Sequence, residues 1–353
     1  MDAIDRALAD TFGHDIGAQY WFRRSDGETT LRCVGLATRR PPTPVVPRTT
    51  FHAFSTTKPI TALAVLQLVD KGELELDAPL ARWLPDLPYR NRATVRQVLS
   101  HQAGLPNPLP LDWVHRAAAH AGFDHDAFLA NVLRDHPKHG AAGARARYSN
   151  IGFLVLGRLV AMLSGTRYVD YVHTKILDVV RDRDDADAWL DFTTPDGERH
   201  ATGYTRIMSP IGMMVSLMPD RQKLRTREGG WLRYAPFYLD GAAYGGLVGN
   251  ARGWAPVLSA IAGRDERLLS AAGYRDYFAP QSLASGERSG HAMSWFTGRL
   301  GAHDFRCHAG GGPGYGAEIR VYPELGAASA VLSNTTIVTD TRMLDRLDAC
   351  WLA

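Results

Sequence analysis

The chain is poor in cysteine, in excess charge of either sign and in long apolar runs. It holds three cysteines in 353 residues, Cys33, Cys307 and Cys350. An odd number at these spacings fits neither a disulfide framework nor a zinc site, and agrees with a reducing compartment. Forty Lys and Arg nearly balance 37 Asp and Glu, for a formal charge of +3. That balance gives no electrostatic case for nucleic acid or for a membrane surface, so the expected partner is a small molecule. No segment reaches the roughly 18 uncharged apolar residues that a membrane span needs. The opening stretch "MDAIDRALADTFGHDIGAQY" carries acidic residues throughout and lacks the apolar run of a signal peptide. With Met1 as the native start, the expected location is the cytoplasm. Internal repeats and low-complexity linkers are missing too. His115, His120, His125, His136 and His139 crowd one region without an H-E-x-x-H or comparable ligand pattern. A solvated polar face accounts for them, and no metal or other cofactor is expected.

What is present is enough apolar material for a sizeable core, 45% of residues, in a chain long enough for one large domain or two intimately joined ones. "DIGAQYWFRR" and "TTLRCVGLATR" read as a strand pair around the turn "SDG", followed by the proline-rich extended stretch "RRPPTPVVPRTT". Helical spacing then dominates to about residue 180, in "TVRQVLSHQAG", "HDAFLANVLRDH" and "SNIGFLVLGRLVAMLSG". Residues 181 to 240 read as long surface loops rich in charge and aromatics. Strand signals return in "AMSWFTGRL", "DFRCHAG", "AEIRVYP" and "GAASAVLSN", and a closing helix is expected from about Thr339 to Trp351. Strands at both ends with helices between predict an α/β fold of the α+β type. A mainly antiparallel sheet is flanked by helices and built from residues 1–75 and 240–353, with a mostly helical lobe, 76–239, inserted. A cleft is expected between the two.

The stretch "FSTTKPITALAVLQLV" raises a chemical question, because Ser55 and Lys58 open a segment that is otherwise apolar nearly all round. Spacing of three puts both side chains on one helix face, and Pro59 places Ser55 at the helix start. There the free amides and the dipole favour developing negative charge. Serine is a poor nucleophile at its own pKa, and an amine shifted towards neutrality in a partly buried cleft accepts its proton. On the pair alone, a capping serine and a lysine snorkelling to solvent would suffice. The interior character of the helix makes a first-turn lysine awkward unless it works in a cleft.

Two further stretches change the balance. "YSN", from Tyr148 to Asn150, opens the next strongly apolar helix, and "HAGGGPG", from His308, lies on a late strand whose glycines, Gly310 and Gly311 among them, let a substrate carbonyl approach closely. With S-x-x-K, Y-x-N and a histidine-led triplet ending in glycine in this order, the chain resembles the serine beta-lactamase and penicillin-binding-protein superfamily, in the branch of class C beta-lactamases, D,D-peptidases and related esterases. The resemblance spans about residues 10 to 350. It implies Ser55 as the acylated nucleophile, Lys58 as its proton partner and Tyr148 as a phenolate-like base. Asn150 is implied to bond Lys58 and the acyl side of the substrate, and the amides of Ser55 and Gly311 to form the oxyanion hole. A nearby ammonium is expected to lower the Tyr148 pKa from its usual value near 10.

His308 departs from the lysine of typical members, and its largely neutral ring favours uncharged esters or amides over penicillins. Cys307 neighbours it on the strand and is expected to face the opposite side. His101, in "LSHQAGLP", reads as a structural histidine at a helix end. Trp189, Trp231, Tyr234, Phe237 and Tyr238 either wall an acyl pocket or pin loops; the sequence leaves both open. The expected function is a metal-free, cofactor-free serine hydrolase acting on a small ester or amide through an acyl-enzyme. Carboxylesterase or amidase activity is expected ahead of true beta-lactamase activity. The alternatives are an acyltransferase using the same intermediate, or a catalytically silent ligand-binding member; the oligomeric state is open.

Overall fold

The computed structural model describes residues 2–13, 15–89, 92–108, 112–195, 199–220, 223–336 and 342–352. Six strands pair antiparallel in one sheet: β1 Ala18–Arg23 and β2 Thr29–Val34 from the N-terminal end, and four from the other. The short strands in the middle of the chain include β3 Val114–Arg116, β4 Tyr204–Arg206 and β5 Arg225–Glu228. After them come β6 Trp231–Tyr234 and β7 Phe237–Leu239. The C-terminal strands are β8 Phe296–Leu300, β9 His303–Gly312, β10 Tyr315–Tyr322 and β11 Ala327–Ser333. The order across the large sheet is β8-β9-β10-β11-β1-β2. The two chain ends meet where β1 pairs β11, with Tyr20 opposite Val331.

Two-residue alternation sorts the sheet's side chains. On β10, Tyr315, Ala317, Ile319 and Val321 join the large core, whereas Glu318, Arg320 and Tyr322 face the other side. The large core is built on helices α2 Thr57–Asp70 and α3 Asn150–Ser164. The other side is covered by α1 Ala3–Phe12 and the last helix, Leu344–Leu352. The segment apolar nearly all round forms α2, buried on every face from Thr57 to Leu68. Each of Leu63, Leu66 and Leu68 contributes about 1.5–3 kcal/mol by leaving water. α3 starts at an N-cap, Ser149, whose hydroxyl accepts from the Gly152 amide, and stops at Gly165 in the left-handed region.

Within 181 to 240, read from sequence as long loops, the described residues hold strands and a helix between about 204 and 239. β4, β6 and β5 form a second, three-stranded sheet, and α4 Pro210–Leu217 and β7 lie within the same stretch. The hairpin "RTREGGWLRY" pairs Glu228 with Trp231 across Gly229 and Gly230. A Gly-Gly pair between alternating residues is a hairpin signal, masked here by the density of arginine. α5 Ala251–Ala262 packs against β1 and β11, and α6 Leu344–Leu352 closes the chain. The expected start of that last helix, Thr339, lies outside the described residues.

Candidate active site

Ser55 sits in a 3₁₀ turn, Phe54–Thr56, that runs directly into α2. Neither Ser55 nor Thr56 caps that helix with its side chain, and the Thr56 hydroxyl instead donates to the Ala53 carbonyl. The capping account of Ser55 is thereby removed. Phe54, just before the serine, has φ of 48°, a conformation that strains a bulky residue by roughly 1–3 kcal/mol. It is held by aromatic neighbours: His52, Phe237 and Tyr315 lie 5.6, 6.5 and 6.4 Å away between ring centres. Phe237 therefore supports the turn that presents Ser55. Trp189 donates to the Thr193 carbonyl and Trp231 carries the Arg39 guanidinium at 4.9 Å, so these two pin chain segments.

Lys58 is fully buried, and among the described residues no carboxylate pairs with it. Its Nζ lies 3.0 Å from Ser55 Oγ, 2.8 Å from Asn150 Oδ1 and 2.7 Å from the Tyr244 carbonyl oxygen. Burial drives its pKa well below the ordinary lysine value. The amine donates to the Asn150 and Tyr244 oxygens and to Ser55 Oγ, and on losing a proton it turns a lone pair to the Ser55 hydroxyl with the other two bonds kept. The rings of Tyr148, Phe153 and Tyr244 stand 4.8, 5.5 and 5.3 Å from Nζ. Such a cage favours the ammonium once a proton arrives.

Tyr148 behaves differently from expectation. Burial raises its pKa well above the usual tyrosine value, and a hydrogen bond with Ser55 only partly opposes that. An ammonium beside it does not dominate, because the lysine's own burial disfavours that charge. The Tyr148 hydroxyl lies 3.3 Å from His308 Nε2. His308 is itself fully buried, and its Nδ1–H donates to the Ser294 carbonyl at 2.6 Å. That bond fixes the tautomer and leaves Nε2 as a bare acceptor for the tyrosine proton. Burial is the first cause that holds the His308 pKa well below its ordinary value, and a proton arriving on Lys58 would lower it further.

The strand bearing His308 continues past the last partner of β8, Cys307, towards the Ser55 turn. Gly310 is obligatory there: a Cβ on it would lie 2.1 Å from the Ala53 carbonyl oxygen and 3.0 Å from the Ser55 nitrogen. Gly311 follows, exposed, on the same strand. Cys307 packs with Phe305 and Tyr322 on the opposite side from His308, and burial pushes its thiol up to about 12. It is no thiolate nucleophile.

His101 is structural: its Nδ1 accepts from the Ser149 amide at 3.3 Å and its ring lies 4.4 Å from Tyr148. His125 and His139 are solvent-exposed, but His115 is not. The pairing of Tyr238 with His115 turns that histidine inward, where Nδ1 meets Asp240 at 2.7 Å and Nε2 meets His120 at 2.9 Å. The solvated-face account fails for His115 and holds only in part for His120, half-buried between His115 and Tyr238. Among the described residues no group of His, Cys, Asp and Glu is arranged to hold a metal ion. Two site groups were invisible in the sequence, the carbonyls of Tyr244 and Ser294, because a backbone acceptor leaves no mark in residue type.

The sheet-and-helix frame is that of a known family of proteins. The Beta-lactamase family profile matches residues 6–350, and the chain belongs to that family. An unguisins hydrolase of Aspergillus campestris is 27% identical over 328 residues, covering 88% of this chain and 57% of that protein. Penicillin-binding protein 4* of Bacillus subtilis is 25% identical, covering 82% of this chain and 62% of its own length. The chain thus spans about three-fifths of these curated relatives. Among solved structures, D-amino acid amidase from Ochrobactrum anthropi in complex with L-phenylalanine superposes with a TM-score of 0.78 at 23% identity, over 98% of this chain and 97% of that one. A class C beta-lactamase from Rhodobacter sphaeroides gives 0.72 at 20% identity, with both chains covered completely. At such identities the structures show a shared fold.

Proposed function

We propose that the protein is a serine hydrolase that opens a small ester or amide through an acyl-enzyme on Ser55. The observation that carries this reading is the 3.0 Å contact of Ser55 Oγ with a fully buried, acid-free Lys58 amine. In the first step Oγ bonds to the acyl carbon and its proton passes to the Lys58 lone pair. The Asn150 carbonyl, the Tyr244 carbonyl and the surrounding rings then hold the new ammonium. The amides of Ser55 and Gly311, on two segments that Gly310 lets touch, are suited to the oxyanion. Tyr148 acts as a neutral relay: it passes a proton to the leaving oxygen or nitrogen and regains one from Lys58, while His308 holds its hydroxyl in line. Water then attacks the acyl carbon and the same groups run in reverse.

The substrate class follows from charge. His308, with Nε2 bare and its cation disfavoured, offers no fixed positive group for a carboxylate beside the scissile bond. Uncharged esters and amides are therefore favoured over penicillins. The hydrolase, amidase and penicillin-binding-protein relatives support acyl chemistry of this kind, as does esterase EstB of Burkholderia gladioli, 40% identical over 114 residues. The test is the intact mass after exposure to a short p-nitrophenyl ester, a fluorophosphonate and a cephalosporin, each with wild type and Ser55→Ala. A Ser55-dependent adduct with the ester and the fluorophosphonate is expected. Turnover that survives in Ser55→Ala would remove the nucleophile assignment.

A further inference from the structure

The surface carries one feature that the proposed chemistry does not use. α4 presents Pro210, Met213, Met214 and Leu217 outward, at the i, i+3, i+4, i+7 spacing that normally marks a core-facing stripe. Met213 is 50% exposed, Met214 40% and Leu217 88%, and Met208 just before the helix is 78% exposed. Of the six large apolar side chains exposed among the described residues, these are four. Single exposed apolar residues are ordinary; a continuous stripe on one helix marks a contact surface.

The helix is held in this posture. The Ser209 hydroxyl caps its start by accepting from Gly212. The Arg225 guanidinium donates to the Val215 and Met218 carbonyls at its end. Asp220 accepts from the Leu224 and Arg225 amides and fixes the return of the chain.

Charge says what covers the stripe. Residues 206–233 contain six basic side chains against two acidic ones, a local +4 inside a chain whose formal total is +3. Arg206 and Lys223, flanking the helix, and Arg227 and Arg233 on the attached sheet are exposed. The two acids are engaged: Asp220 with Arg225, and Glu228 with Arg39 and Arg233. The near-neutral balance of the whole chain conceals this concentration. We infer that α4 and its basic flanks dock on an anionic lipid surface, with the methionine and leucine side chains entering the headgroup boundary and the cations meeting lipid phosphates. A second copy of the chain would bring the same cations face to face, which disfavours it as the occupant.

The experiment is flotation of the whole protein with vesicles of pure phosphatidylcholine and of an equimolar mixture with phosphatidylglycerol, at low and high salt, alongside sedimentation analysis without lipid. Preferential, salt-sensitive binding to the mixed vesicles is expected. Met213→Glu with Leu217→Glu should lower it at least tenfold without changing ester turnover, since both side chains lie in solvent. Arg206→Gln with Lys223→Gln should weaken it severalfold and flatten its salt dependence. Equal binding to both vesicle types, or none to either, would overturn the inference. A concentration-dependent dimer lost in the glutamate variant would overturn it in favour of a second copy.

Discussion

Lys58 and Arg320 are both fully buried, one on each side of the main sheet, and they are surrounded in opposite ways. Lys58 meets a hydroxyl, a side-chain amide and a backbone carbonyl. Arg320 meets Glu318 and Asp345 at 2.8 Å and Asp348 at 3.6 Å. A lysine without a carboxylate sheds its charge on burial and becomes a base; a guanidinium cannot, and among three carboxylates it becomes a staple between β10 and α6. The same physical penalty, desolvation, is turned to reactivity in one place and to cohesion in the other. Substitutions that separate these two outcomes put the comparison to the test.

The largest effect is expected at the lysine end. Lys58→Met should lower kcat/KM for ester cleavage by at least about 10³-fold, as Ser55→Ala should, because each removes half of one proton-transfer unit. Its melting temperature should move by only a few degrees, since an amine that was costly to bury is gone while two acceptors lose a donor. Unfolding of Lys58→Met, in place of clean inactivation, would make Lys58 a structural group. Its lowered pKa also fixes the sign of the pH profile. Activity should fall as pH drops through that lowered value and the amine takes a proton. Activity that keeps rising into the ordinary lysine range would show a charged resting lysine.

Tyr148→Phe comes next, with kcat reduced by about 10²–10⁴-fold and KM little changed. The acyl-enzyme is where the loss should show, in rapid-quench measurement of its formation and decay. An unchanged chemical rate would leave Lys58 and Ser55 sufficient by themselves. Arg320→Met reverses the pattern: activity per folded molecule should persist, while stability falls by roughly 3–5 kcal/mol because the buried acids Glu318 and Asp348 lose their cation, Asp345 keeping Arg342. Denaturant melts followed by turnover assays distinguish the two ends.

The sequence was uneven in what it disclosed, for physical reasons. Ser55, Lys58 and Asn150 were legible because their chemistry lies in side-chain type and spacing, and the structure brings those three together within 3.0 Å of one nitrogen. The sheet shared by both ends was legible because β1, β9, β10 and β11 carry strong strand signals with clear turns between them. The state of Tyr148 was not, since a pKa depends on who desolvates the neighbour, and that is a property of packing. His115 and Asp240 are 125 residues apart, and their pairing awaits the β3–β7 register. The same holds for Arg320, whose partners Asp345 and Asp348 belong to a helix that looks amphipathic and unremarkable by itself.

The smallest predicted effect tests how completely the arginine side is neutralised. Burial raises the Asp348 pKa as well, but Asp348 accepts hydrogen bonds from the hydroxyls of Tyr20, Tyr322 and Ser329, which together with Arg320 oppose that rise. Asp345 is shared with Arg342. Glu318 is left with burial as its main influence, and its pKa is raised from 4.5 to about 7, Arg320 only partly opposing. The folded state therefore favours the protonated form. Its contribution to stability is fully present below the ordinary glutamate value and is lost as pH rises through about 7, a change on the order of 3 kcal/mol. Melting temperature should accordingly decline between pH 5 and pH 8, and Glu318→Gln, which keeps the shape and cannot ionise, should flatten that decline. An identical slope in the variant would mean that Arg320 holds Glu318 ionised throughout, and that the cluster is a fully charged network with no proton to spare.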